Sequence, residues 1–198
     1  MSLALRATLN RWRRRLWRWL FFRMLFAERD PASGALRAHS RIAPSTCIEG
    51  EAGLQLADHV FIGQFNFLEA SAGLRLGEGV QITNFCSLVT HSSQRAQRLL
   101  GRAFAGWPGD KPGFKLAPIE IGPYCFIGPH SLIEAGSRLG RGVLVCAYAQ
   151  VRGEVPDFAI VAGQPAQVVG DVRAGDARWL DAHPECRAHY EAWAGALR

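Results

Sequence analysis

The chain has 198 residues, 48% of them hydrophobic, and a formal charge of +6, enough for one domain with one sizeable core and short appendages. Charge is unevenly placed: residues 1–41 hold ten Arg and two acids, whereas the rest holds 13 basic and 15 acidic residues. The basic character therefore belongs to an N-terminal arm, and no recognisable nucleic-acid-binding fold follows it. Cys47, Cys86, Cys125, Cys146 and Cys186 are odd in number and lack CxxC spacing, which favours reduced thiols in a cytosolic compartment over disulfides or zinc.

Residues 2–27 predict one amphipathic helix, with Leu5, Leu9, Trp12, Leu16 and Trp19 or Leu20 on one face and Arg11, Arg14, Arg15 and Arg18 on another. Arginines interrupt every apolar run, so the segment reads as neither a transmembrane span nor a signal peptide. Trp and Phe opposite Arg suit a helix lying among lipid headgroups. That places the protein in the cytoplasm, peripheral on the inner face of the cytoplasmic membrane. A helix packed on a neighbouring subunit is the alternative.

From Ile42 a period of twenty residues appears: residues 49–68 align with 69–88, pairing Glu49 with Glu69, Leu54 with Leu74, Ile62 with Ile82 and Phe65 with Phe85. The paired Phe residues are expected in the core. The period stops after Leu88-Val89-Thr90-His91. An insertion over 92–117 follows, basic through Arg95, Arg98, Arg102, Lys111 and Lys115, with Trp107 placed to cover a ligand. A polar excursion that a repeat does not require usually lies on a functional face.

From Ile121 to Pro156 an aliphatic residue recurs every six positions, at Ile121, Ile127, Ile133, Leu139, Val145 and Val151. Six matches neither a helix nor one long strand, so each unit predicts a short strand and a corner, and three units make a triangular coil. The small residue four places on is Cys125, Ser131, Ser137, Val143 and Ala149 in successive units. Beyond Asp171, the spacing of Trp179, His183, Cys186, Tyr190, Trp193 and Leu197 predicts two short helices divided by Pro184, capping the stack.

This hexad resembles that of the hexapeptide-repeat acyltransferases, over roughly residues 42–170, and the terminal Val155–Ala166 stretch matches their last coil. The resemblance implies a mainly β fold: a left-handed parallel β-helix over 42–170 interrupted by the 92–117 loop, flanked by the 1–41 arm and a 171–198 helical cap. It further implies a homotrimer that uses acetyl-CoA as acyl donor and no metal, acting on a carbohydrate or glycolipid acceptor. His91 stands where the maltose, galactoside and polysaccharide O-acetyltransferases of the family place their base. A neutral imidazole suits proton removal from a hydroxyl near pH 7.

Glu69, 22 residues earlier, would bind a sugar hydroxyl or orient that imidazole. Asn66, Asn84 and Phe126 are acceptor-side candidates, with corner backbone as the other use for both Asn. Gly128, Ala147, Gly163 and Pro165 would line the pantetheine groove between two subunits, although Gly163 and Pro165 equally suit a turn ending the solenoid. Arg152, Arg173 or an Arg of the insertion would replace the basic residue that relatives carry at Gln167. The family's usual oxyanion amide falls on Pro129, which has no N–H, leaving the His130 amide as the next candidate. The expected activity is O-acetylation of a sugar hydroxyl of a surface polysaccharide, lipopolysaccharide or lipid-linked precursor. N-acylation of an amino sugar and a catalytically silent scaffold are the alternatives. The related carbonic anhydrases need a closely spaced His pair, which His59, His91 and His130 do not supply.

Overall fold

A computed structural model of the chain describes residues 1–195. Three stacks of short parallel strands enclose one core. Five turns of chain build a three-sided prism, each contributing one strand per face, as in the coil Phe61–Ile62, Phe67–Glu69 and Leu74–Leu76. The register is set by aliphatic columns. Ile42, Ile62, Ile82, Ile127, Val145 and Val161 align on the first face. Leu68, Leu88, Ile133 and Val151 align on the second, and Leu56, Leu76, Ile121, Leu139 and Val155 on the third. Most of these side chains are buried, each worth about 1.5–3 kcal/mol of apolar transfer.

The small fifth position of each hexad points inward beneath the next corner. Ser131 Oγ donates to the Cys146 carbonyl at 3.0 Å, and the Cys125 thiol to the Gly140 carbonyl at 2.9 Å. Burial pushes the Cys125 thiol up to about 12. All five cysteines are free; Cys86 and Cys125 are buried, whereas Cys47 and Cys186 are exposed.

Both ends of the prism are covered. Helix α1 spans Leu3–Phe21, shorter than the 2–27 expectation, because the chain is caught at Phe22: its carbonyl accepts from Gln64 Nε2 at 2.9 Å and its ring meets Phe65 at 5.5 Å. Residues 28–37 are a cap rather than part of a free arm. Asp30 takes the otherwise open Leu56 N–H at 2.7 Å, Arg37 Nε donates to the Leu56 carbonyl at 2.6 Å, and Glu28 takes the Ile42 N–H at 3.1 Å. These contacts satisfy the exposed backbone edge of the first coil. At the far end, Ala159–Gly163 turns back antiparallel through Ala166–Asp171, so Gly163 and Pro165 form the turn that ends the solenoid.

The insertion is a ribbon, His91–Ser92 paired antiparallel with Lys115–Leu116, tipped by α2 (Gln94–Leu100). At the C-terminus come α3 (Arg173–Ala182) and α4 (Arg187–Ala194), separated at Pro184 as expected. The expected stripe only partly packs. Trp193 stacks on Tyr124 at 4.5 Å, while Trp179 lies 69% exposed and its neighbour Leu180, outside the expected stripe, is the buried residue of α3; Leu197 lies outside the described residues.

The paired Phe residues also depart from expectation. Phe65 and Phe85 are 45% and 50% exposed, because each occupies the left-handed position of a corner that aims its side chain outward. They stack with His130 and Tyr148 in a ladder along the first edge, centroids 5.1, 5.0 and 4.7 Å apart.

Candidate active site

His91 sits on the second edge, between the second and third faces, where the ribbon leaves the prism. Its Nδ1 is 2.9 Å from Glu69 Oε2; the imidazole is 36% exposed and the carboxylate 3%. Glu69 ends the strand of the coil below. Its Oε1 accepts the Ser71 N–H at 2.9 Å, and Oε2 accepts the Thr90 N–H at 2.9 Å and Thr90 Oγ1 at 2.6 Å. Burial alone would raise the carboxyl pKa, but the hydrogen bonds from Ser71, Thr90 and His91 outweigh it and bring the group down to about 2. Glu69 is therefore a carboxylate at neutral pH and an acceptor only, which assigns the Nδ1 proton to His91. The lone pair then lies on Nε2, on the side away from Glu69.

Two neighbours complete the arrangement. Thr90 is fully buried and also accepts the Ala72 N–H at 3.1 Å, tying two coils together beneath the imidazole. Phe114, on the returning arm of the ribbon, stacks on the His91 ring at 5.6 Å and 7°. Sequence reasoning missed both. Thr90 adjoins His91 and was open to notice, but Phe114 gives no local signal, since ribbon pairing alone brings it there.

Glu69 is too enclosed to reach a sugar hydroxyl; of the two roles expected for it, orientation of the imidazole fits. Asn66 is buried with its amide committed to corner backbone, donating to the Gly63 and Thr83 carbonyls at 2.9 and 2.7 Å and accepting the Cys86 N–H at 2.7 Å. Asn84 is exposed, with Oδ1 accepting the Gln64 N–H at 2.7 Å. The His130 amide donates to the Asn84 carbonyl at 3.2 Å, so it is not a free oxyanion donor.

The expected residues divide between edges. Asn66, Asn84, Gly128, Ala147, Gly163 and Pro165 stand on the first, His91, Glu69 and Arg152 on the second, and Phe126 on the first face, 39% exposed. One chain does not bring the two groups together. Arg152 is exposed, two coils beyond His91; Arg173 is held by Asp171 at 2.6 Å. His59 stacks on His39 at 4.4 Å beside Asp58, whose oxygens accept from His39, Ser40 and the His59 N–H.

No family model matches the chain. A probable acetyltransferase of Mycobacterium tuberculosis is 29% identical over 119 residues, 60% of this chain and 37% of that protein. A putative lipopolysaccharide biosynthesis O-acetyl transferase of Escherichia coli is 21% identical over 120 residues, 61% of each. The chain thus spans less than two thirds of either curated relative. Among solved structures, a hexapeptide-repeat acetyltransferase of Vibrio cholerae superposes with a TM-score of 0.57 at 23% identity, covering 66% of this chain and 69% of its own; it has also been solved with acetyl-CoA.

Proposed function

We propose that the chain is a hexapeptide-repeat acyltransferase and that it transfers an acetyl group from acetyl-CoA to a sugar hydroxyl of a surface polysaccharide, lipopolysaccharide or lipid-linked precursor. The observation that carries this is the Glu69–His91 pair at the mouth of the ribbon. His91 Nε2 removes the hydroxyl proton as the oxygen attacks the thioester carbonyl. The C–O bond forms, the C–S bond breaks, and the proton passes from the imidazolium to the departing thiolate. Base catalysis of this kind contributes about 10²- to 10⁴-fold, and holding both substrates together supplies more. Glu69 touches neither substrate; it is a positioning residue that fixes the tautomer.

The division of candidates between two edges supports a site shared between copies, with the first edge of one chain closing over the second edge of the next in a homotrimer. Acetyl-CoA would then lie between them, against Gly128 and Ala147. The E. coli relative, described as acting in lipopolysaccharide biosynthesis, favours oxygen over nitrogen as the acceptor atom.

Helix α1 supports contact with a lipid surface. None of its residues is buried, and Leu5, Leu9, Trp12 and Leu16 are exposed, although no helix among the described residues is long and apolar enough to cross a membrane. Removal of residues 1–27 abolishes flotation with anionic liposomes; equal flotation of both forms rules the contact out.

The decisive assay is thiol release from acetyl-CoA across a panel of sugars and extracted glycolipids, comparing the native chain with His91→Gln. Turnover falls about 10²- to 10⁴-fold in the variant while its melting temperature holds. Undiminished turnover removes His91 from the role.

A further inference from the structure

We infer that the acceptor carries a phosphate, held by Arg95 and Lys115 in the recess beside His91; this deepens the acyl-transfer role proposed above and rests on it. A cavity of about 360 Å³ opens along the ribbon, lined by Ser92, Gln94, Arg95, Gly113, Phe114 and Lys115. It adjoins the candidate base directly: Ser92 follows His91, and Phe114 is the ring stacked on the imidazole.

The charge of this region runs against that of its surroundings. Residues 92–117 carry five cations and one acid, Asp110, whereas the rest of the chain from residue 42 carries 8 basic and 14 acidic residues. Within the insertion, Lys111 sits over the Phe104 ring at 5.3 Å and Arg98 donates to Gln94 at 2.5 Å. Arg95 and Lys115, the two cations lining the recess, form no ion pair among the described residues. Both are exposed, but each is placed at its base. The Arg95 stem lies across Gly113, whose φ of +79° and missing side chain make the room: a Cβ there would stand 2.9 Å from Arg95 Cγ. Lys115 is fixed opposite Ser92 by the ribbon register, and its ammonium reaches over Gly136 of the next coil.

Arg95 and Lys115 both line the recess, with a hydroxyl and an amide on its wall, and together supply the charges and donors that match the oxygens of a phosphate. The same oxygens occur on coenzyme A. The coenzyme A arm of the test below distinguishes the two sources.

The test reads binding without turnover. Inorganic phosphate is titrated into the full chain carrying isotope-labelled histidine, and the His91 ring resonances are followed by NMR. They shift saturably in the native protein. The Arg95→Gln/Lys115→Gln double variant binds at least about tenfold more weakly, since each charged hydrogen bond lost is worth about 1.5–3 kcal/mol; Arg102→Gln, outside the recess, behaves as native. Saturating coenzyme A leaves the phosphate response in place. Absence of any shift, an unchanged response in the double variant, or loss of the response to coenzyme A would each overturn the inference. Failure of acetyl transfer in the assay above would instead sink the enzymatic role and leave this binding result standing.

Discussion

Two edges of the same prism are built on opposite terms. On the first edge the chain passes from one core residue to the next in six residues at every level, Ile62 to Leu68, Ile82 to Leu88, Ile127 to Ile133 and Val145 to Val151. On the second edge the same step takes eight residues from Leu68 to Leu76, thirty-three from Leu88 to Ile121, six from Ile133 to Leu139 and four from Val151 to Val155. The third edge keeps six throughout. All variation in coil length therefore falls where His91, Glu69 and the ribbon are. An edge that opens outward can absorb an insertion, and the candidate site occupies the edge with that freedom.

The largest expected effect is steric and separates a closed corner of the third edge from the open later corners of the second. A Cβ on Gly122, at a third-edge corner, would stand 2.7 Å from the Gly140 carbonyl and 2.8 Å from the Arg141 nitrogen, all backbone. On the second edge the first coil is just as close, a Cβ on Gly50 standing 2.6 Å from the Ser71 nitrogen, but one on Gly73 meets nothing nearer than 3.4 Å and one on Gly153, in the last coil, nothing within 4 Å. Gly122→Ala is therefore expected to cost about 3 kcal/mol or more, since it forces backbone shifts in a close-packed stack. Gly153→Ala pays mainly for its φ of +79°, about 1–2 kcal/mol. Urea denaturation of both variants checks the ranking; equal costs would mean that these two corners do not differ in closeness.

Replacing Glu69 tests whether the open edge has a rigid floor. Four donors share its two oxygens, and Gln supplies one acceptor oxygen and turns an NH₂ toward the others. Glu69→Gln should lose about 1–3 kcal/mol of stability. It should also lower kcat roughly ten- to hundredfold, part of the 10²- to 10⁴-fold effect of a positioned base, with KM little changed. The pH dependence has a definite sign. The folded carboxyl sits near 2, below its ordinary 4.5, so its contribution is full above about 4.5 and is lost as pH falls toward 2. Melting temperature should drop more steeply over that window in the native chain than in the variant. A fall in stability without any change in kcat would reduce Glu69 to a structural residue.

How legible each edge was follows from the same contrast. The hexad columns were readable because a stacked strand repeats one chemical requirement, an aliphatic side chain facing inward, at fixed intervals. The ribbon was readable as a break in that repeat, and Glu69 and His91 by their place around it. What the ribbon touches was not: Phe114 meets His91 across 23 residues of non-repeating chain, and no spacing rule reports such a contact. Phe65 and Phe85 were misassigned to the core because hydrophobicity carries no sign of direction, whereas a left-handed corner turns its side chain out. The cap at 28–37 was hidden for a similar reason, since Asp30 and Glu28 act by accepting open backbone N–H groups, a role that leaves no periodic trace.

The aromatic ladder offers the finest discrimination between the edges. Phe65 holds a left-handed backbone at φ 58° with its ring against Phe85 on one side and Phe22 on the other. That conformation costs about 1–2 kcal/mol in a residue with a Cβ, and stacking returns about 0.5–1.5 kcal/mol for each aromatic pair. Phe65→Ala keeps the strain and loses both stacks, so a stability loss of about 1–2 kcal/mol is expected. Because the Phe22 contact goes with it, the C-terminal end of α1 is left with the Gln64 hydrogen bond to the Phe22 carbonyl and without its aromatic contact. Limited trypsin digestion should then cut faster at Arg23, while turnover on a soluble acceptor stays within about twofold, because Phe65 lies two coils away from the Gly128 proposed to face acetyl-CoA. An unchanged cleavage rate would show that the ladder supports the prism alone. A collapse in turnover would instead extend the proposed shared site along the first edge, from Gly128 and Ala147 as far as the Phe65 ring.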